Sequence, residues 1–157
     1  MPVKRLKEFL DKNGIKYVTI RHSPAYTAQE VAASAHIPGK ELAKTVIVTV
    51  DDDVAMAVLP ASYHVDMDRL REITGAKKVG LASEDEFKDL FPACEVGAMP
   101  PFGNLYDLRV FADASLAEDE EIAFTAGLHT ELIRLSYTDF VRLAQPVTVQ
   151  FAVEEYA

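Results

Sequence analysis

Residues 41–50, Glu41-Leu42-Ala43-Lys44-Thr45-Val46-Ile47-Val48-Thr49-Val50, constrain the fold more than any other stretch. Five of these ten residues are Val, Ile or Leu, and both threonines are β-branched. Branched side chains pack well on a pleated surface, so the run predicts a buried strand. Asp51-Asp52-Asp53 then reads as a hairpin turn into a second apolar run, Val54-Ala55-Met56-Ala57-Val58-Leu59. Two adjoining apolar strands make the centre of a sheet. Lys44 interrupts the first of them near its start. Its ammonium either snorkels to water at the strand edge or meets an anionic or polar group.

Helices and strands are interleaved around that centre. Val3, Leu6, Phe9 and Leu10 fall on one helical face, with Asn13-Gly14 as the stop, and 15–22 reads as a strand closed by Ser23-Pro24. Thr27-Ala28-Gln29-Glu30 is a capping box opening a helix that ends at Ile37-Pro38-Gly39. Asp66 caps a short helix through Leu70 and Ile73 that stops at Gly75, and 77–82 is a short strand. A second capping box, Ser83-Glu84-Asp85-Glu86, leads into Phe87, Leu90 and Phe91. Gly97-Ala98-Met99-Pro100-Pro101-Phe102-Gly103 is a rigid loop whose two prolines donate no hydrogen bonds. Strands are predicted over 105–112, 122–126 and 131–135, the last two joined by Gly127-Leu128-His129-Thr130. Ser136 caps a helix holding Phe140, Val141 and Leu143, and Val147, Val149, Phe151 and Val153 alternate as in a half-buried strand. Hairpins mixed with helices predict an α+β or mixed-sheet domain rather than a doubly wound parallel sheet.

A chain of 157 residues, spanning 1–157 as one domain, is long enough to bury a core without disulfides or metal. Cys94 is the single cysteine and reads as an apolar structural residue. No apolar run approaches a membrane span and the N-terminus lacks a signal-peptide core, so a cytoplasmic location and no membrane partner are expected. The net charge of −9 argues against broad nucleic-acid binding. It leaves room for a local basic face, because Lys4, Arg5, Lys7, Lys12, Lys16, Arg21, Lys40 and Lys44 all fall early. There is no Walker loop and no dinucleotide fingerprint. His22, His36, His64 and His129 lack zinc spacing, so neither a metal nor a cofactor is expected.

Four pieces in order carry a resemblance: His22-Ser23-Pro24 with Thr27-Ala28-Gln29-Glu30-Val31-Ala32; Leu42-Ala43-Lys44-Thr45-Val46-Ile47-Val48; the loop from Gly97 to Gly103; and Ala126-Gly127-Leu128-His129-Thr130-Glu131-Leu132 with Ser136-Tyr137-Thr138-Asp139-Phe140. Together they resemble the YbaK and prolyl-tRNA-synthetase-associated family of aminoacyl-tRNA editing domains, across nearly the whole chain. The resemblance implies a compact α/β domain of the α+β type, with a curved mixed β-sheet flanked by helices and a pocket for the 3′ acceptor end of aminoacyl-tRNA. It implies a trans-acting deacylase, with prolyl-tRNA synthetase as a possible partner. Lys44 matches the family's functional lysine, and Gly97 and Ala98 match the loop whose amides lie near the aminoacyl ester. Ile20, His22, Thr45, Met99, Pro100, Gly127, Leu128 and His129 are the matching substrate-binding positions. His129 stands where the cysteine-editing branch carries aspartate, and Ile20 where it carries tyrosine; both look more like the alanine-editing branch.

The implied chemistry suits these residue types. An aminoacyl ester is already activated, so hydrolysis needs a positioned water and a stabilised oxyanion more than a nucleophilic side chain. No Asp-His-nucleophile set is evident, which predicts water attack, with a ribose hydroxyl or His129 assisting. A non-catalytic amino-acid or tRNA sensor, or a synthetase-docking module, would keep the same fold without needing Lys44 and the 97–98 loop.

Overall fold

The computed structural model describes residues 2–22, 41–87, 89–90 and 98–154. The anticipated capping box at Thr27, together with Lys40, Cys94 and Gly97, lies outside them. The elements in order are α1 (Pro2–Lys12), β1 (Tyr17–Arg21), β2 (Ala43–Val50), β3 (Asp53–Pro60), β4 (Tyr63–Val65), α2 (Met67–Thr74), β5 (Val79–Leu81) and the short α3 (Glu84–Phe87). They continue with β6 (Arg109–Asp113), β7 (Glu121–Thr125), β8 (Glu131–Ser136), α4 (Tyr137–Ala144), β9 (Val147–Val149) and β10 (Ala152–Glu154).

The 41–50 run does form the centre. A five-stranded sheet is ordered β5-β2-β3-β6-β9, with β2 antiparallel to β3 and β5, while β3, β6 and β9 run parallel. The mixed sheet is thus built by one hairpin and two parallel additions. Six consecutive residues of β3, from Ala55 to Pro60, are buried, because both faces of this sheet are covered. A three-stranded antiparallel sheet, β1-β8-β7, meets the first where Leu42 bridges Ala123 in parallel. β4 and β10 form a separate two-stranded pair.

Alternation along β2 and β3 divides the core in two. Ala43, Ile47, Met56 and Val58 face a larger cluster with Leu6 and Leu10 of α1, Met99, Phe102, Phe124, Ile133 and Phe140. Val48, Val50, Ala55, Ala57 and Leu59 face a smaller one with Leu70, Phe111 and Phe151. Phe102 is the hub of the larger cluster. Its ring lies edge-on to Phe9, Phe124 and Phe140, with centroids 5.9, 5.5 and 5.8 Å away, the geometry that aromatic quadrupoles favour. Immediately after it Gly103 has no room for a side chain. A Cβ there would stand 2.3 Å from the Leu108 carbonyl oxygen and 2.7 Å from a Val110 methyl. The proline-rich loop is therefore anchored by its far end in the core.

Local signals explain several helix ends. The Asp66 carboxylate accepts from the Asp68 and Arg69 amides (3.1 and 3.2 Å) to start α2, and Gly75 closes that helix with a positive φ. The Ser83–Glu86 capping box is formed in both directions, at 3.0 and 3.3 Å. Ser136 accepts from the Asp139 amide (3.1 Å) to open α4.

Three expectations are corrected. The strand expected over 105–112 begins only at Arg109, since the Gly103 carbonyl takes the Tyr106 and Leu108 amides (both 2.9 Å) and holds 103–105 in a tight turn. The strand expected over 77–82 shortens to Val79–Leu81, because the Asp51 carboxylate captures the Lys77 and Lys78 amides (2.9 and 3.0 Å). The final alternating run breaks into β9 and β10, in different sheets. Asp113, only 3% exposed, accepts from the Phe151 and Ala152 amides (3.0 and 2.9 Å) at the corner between them.

Candidate functional site

The site assembles around the turn between β7 and β8. Gly127 there has φ of 101°, a left-handed conformation that a side chain would strain. Its amide donates to the Ala98 carbonyl (2.7 Å), fastening the turn to the proline-rich loop. The Ala126 amide donates to the Glu131 carbonyl (3.2 Å), closing the turn on itself. On the other side the His22 amide donates to the Thr130 carbonyl (3.0 Å), extending the β1–β8 ladder in which Ile20 pairs with Leu132. Hydrogen bonds alone thus bring Ile20, His22, Ala98, Gly127, Leu128 and His129 together from three separate parts of the sequence.

Burial sorts these residues further. Ala98, Met99 and Pro100 are all buried, and Met99 belongs to the larger core cluster. His129 is 8% exposed, and Leu128 is half-buried against the same cluster. The turn therefore presents an apolar surface with one imidazole in it. Lys44 and Thr45 lie at the start of β2, paired with Leu59 and Val58. Two residues before Lys44, Leu42 bridges Ala123, and the Ala123 amide donates to the Glu41 carbonyl (3.1 Å). At that junction β2 runs beside β7 and in the same direction, toward the turn. The pleat separates the two residues: Thr45 shares the Ala43 and Ile47 face of the larger cluster, and Lys44 the Val46 and Val48 face. Both are half-buried.

An ion pair missed by the sequence reading adjoins the turn. Glu131, 7% exposed, takes the Lys7 ammonium of α1 at 2.8 Å, joining residues 124 apart in sequence. A carboxylate at the first position of a largely apolar strand was the available signal. Beside the pair is a cleft of about 460 Å³, lined by Lys4, Lys7, Glu8, Asp11, Arg21, Leu128 and Glu131. α1 is held there by a second polar contact as well: the Arg5 guanidinium donates to the Leu105 carbonyl (2.5 Å) and stacks over Tyr106. Next to Asp11, burial and then the hydrogen bond and charge of that carboxylate raise the Tyr17 phenol above its ordinary pKa. A cavity of different character lies at the opposite end of β7, about 310 Å³ in volume and lined by Glu41, Glu118, Asp119, Glu120, Glu121, Ala123 and Arg134. Among the described residues no three His, Cys, Asp or Glu side chains are placed to hold a metal ion, and no helix is long and apolar enough to cross a membrane.

Comparison with known proteins identifies the family and the fold. The aminoacyl-tRNA editing domain family matches residues 22–143. The multifunctional Ser/Thr-tRNA deacylase ProXp-y of Escherichia coli K12 is 29% identical over 153 residues, covering 94% of this chain and 91% of its own. A proline–tRNA ligase of Bacillus cereus AH187 is 30% identical over 89 residues, 57% of this chain but only 16% of the ligase. In fold, the hypothetical protein APE2540 superposes with a TM-score of 0.84 at 22% identity, over 95% of this chain and 99% of the other. A crystal structure described as a candidate trans-editing enzyme for prolyl tRNA synthetase gives 0.81 at 18% identity, over 97% of each chain.

Proposed function

Because the chain belongs to the aminoacyl-tRNA editing domain family, whose members act on aminoacyl-tRNA, we propose that it hydrolyses the ester of mischarged tRNA carrying a small amino acid. The observation that carries this reading is the Gly127–Ala98 hydrogen bond, which sets the turn bearing Leu128 and His129 against the start of the proline-rich loop. Neither Gly127 nor Ala98 carries a bulky side chain at that contact. Amides of Gly97 and Ala98 donate to the developing oxyanion, a stabilisation worth several kcal/mol in a water-poor site, about 3–4 for a single donor. Lys44 is assigned the terminal phosphate or the ester oxygens on its match to the family's lysine, since the pleat of β2 turns it to the face away from the larger cluster that holds Met99 and Leu128. Water is the nucleophile.

The residues proposed to meet the amino-acid side chain are Ile20, Met99, Leu128 and His129. Such a lining excludes large groups by volume, but distinguishes neighbours differing by a methylene-sized unit by only about 1–3 kcal/mol. Alanine, serine and cysteine esters overlap as substrates, with alanine ahead, and tRNAPro or a related tRNA carries them. The name of the Escherichia coli relative supports serine as a substrate and extends the range to threonine. The shared segment with a proline–tRNA ligase supports the tRNAPro assignment and a prolyl-tRNA synthetase partner. The test is a panel of alanyl-, seryl-, threonyl-, cysteinyl- and prolyl-tRNAPro incubated with purified protein. Faster loss of the four small esters than of the prolyl ester supports the reading; no loss of any of them rejects it.

A further inference from the structure

α1 precedes residues 22–143, which match the editing-domain family as a whole, and it forms one wall of the cleft beside the candidate site. The charge distribution singles out the same region. Residues 1–22 hold six lysines and arginines against two carboxylates, a net of +4, so the rest of this −9 chain carries −13. A polyanion whose 3′ end enters at Gly127 must leave across some neighbouring surface. The cavity at the far end of β7 presents five carboxylates and one arginine. The cleft under α1 shares Leu128 with the turn.

Its charges are not equivalent. Lys7 is committed to buried Glu131 at 2.8 Å and braces the wall. Asp11 is engaged by the Tyr17 phenol. Lys4 reaches Glu8 only at 3.9 Å, with both side chains largely exposed, and an exposed pair of this kind holds its lysine weakly. Arg21 stands directly opposite Glu131 in the β1–β8 ladder and one residue before His22, with its side chain exposed. A guanidinium in that position can take a phosphate bidentately, and Lys4 can exchange Glu8 for the same anion. The cleft volume suits a nucleotide-sized group.

We infer that this cleft receives a backbone phosphate of the single-stranded 3′ end of the RNA, with Arg21 and Lys4 as its phosphate contacts. The assignment rests on the proposed function, which puts the ester end at the β7–β8 turn. Binding of an uncharged RNA hairpin ending in single-stranded CCA tests it, measured across a range of salt concentrations. The proteins compared are wild type, Arg21→Gln, Lys4→Gln, the double variant, and a Lys77→Gln/Lys78→Gln control beside β5, each checked by circular dichroism and melting. The double variant should bind at least about tenfold more weakly, and its log–log salt slope should fall by about 1.4, two phosphate contacts at ~0.7 each on single strands. The control should match wild type, and a blunt hairpin lacking the CCA end should bind wild type as weakly as the double variant binds the CCA hairpin. Wild type that fails to bind the hairpin, a double variant within twofold of wild type, a control that loses as much, or equal binding of the blunt hairpin overturns the inference. Arg21-dependent binding by a protein that hydrolyses no ester upholds the cleft and rejects the deacylase reading, so the two fail separately.

Discussion

Replacing Asp113 by alanine should unfold the scaffold at lower temperature while leaving the chemistry of each folded molecule intact. One carboxylate oxygen accepts the Phe151 and Ala152 amides at 3.0 and 2.9 Å; the other accepts the Ser115 amide at 3.1 Å and the Ser115 hydroxyl. Hydrogen bonds to a charged acceptor contribute about 1.5–3 kcal/mol each, but they are not additive when they share one group. The dominant loss is at Phe151, which is fully buried, so that its amide keeps no acceptor and gains no water. An unsatisfied buried donor costs about 1–3 kcal/mol, and the weakened Ala152 and Ser115 contacts bring the total to about 3–5 kcal/mol. For a chain of this length each kcal/mol moves Tm by about 2–4 °C, which gives a fall of about 6–20 °C. Asp113→Asn should be milder: one oxygen can retain the Phe151 and Ala152 amides, while the new NH2 meets the Ser115 amide donor to donor. Urea and thermal unfolding measure both variants, and activity per folded molecule is read well below either transition. An Asp113→Ala protein within about 1 kcal/mol of wild type would refute the claim that this carboxylate holds the β9–β10 corner.

Gly103→Ala should lose about 1–3 kcal/mol or more by overpacking, since the new methyl meets the Leu108 carbonyl, which is backbone, at 2.3 Å; chemical denaturation reads the loss. The Glu86 carboxyl is held below its ordinary pKa, mainly by its hydrogen bond from the Ser83 amide. Its charged form is therefore favoured by folding, and the extra stability is present above the ordinary glutamate pKa and lost as pH falls through the lowered folded value. The advantage of wild type over Glu86→Gln in urea midpoints should shrink accordingly between neutral and acid pH. His129→Ala enlarges the pocket and should raise hydrolysis of the larger prolyl ester relative to the alanyl ester; loss of all activity with unchanged selectivity would show that His129 is no size gate.

The fold was most legible where local chemistry and tertiary packing agree. The Asp66, Ser83 and Ser136 caps follow from side chains satisfying nearby backbone amides, the Gly75 stop from a positive φ that glycine allows, and the β2–β3 hairpin from two adjoining apolar runs. Two of the three errors arose where a distant group intervened, the third where the Gly103 carbonyl took two amides just ahead of it. Asp113 takes amides 38 and 39 residues away and breaks an alternating run that by itself reads as one strand. Asp51 does the same to the start of β5 across 26 and 27 residues. At the site, Gly127, Leu128 and His129 are legible as a motif, and the structure adds hydrogen bonds from Gly127 to Ala98 and from His22 to Thr130. The pleat of β2 sets Lys44 and Thr45 on opposite faces, which a motif cannot express. The Lys7–Glu131 pair escaped notice because its partners lie at opposite ends of the chain.

Single-turnover hydrolysis of alanyl-tRNAPro by wild type and Lys44→Ala tests the central claim most directly. Lys44 sits half-buried on a strand whose neighbours carry the packing, so its removal should leave circular dichroism and Tm nearly unchanged. Rapid ester loss with wild type and loss reduced to the spontaneous rate with a folded Lys44→Ala is the predicted result. Hydrolysis at the wild-type rate by the variant, or none by wild type on any small aminoacyl ester, would contradict it.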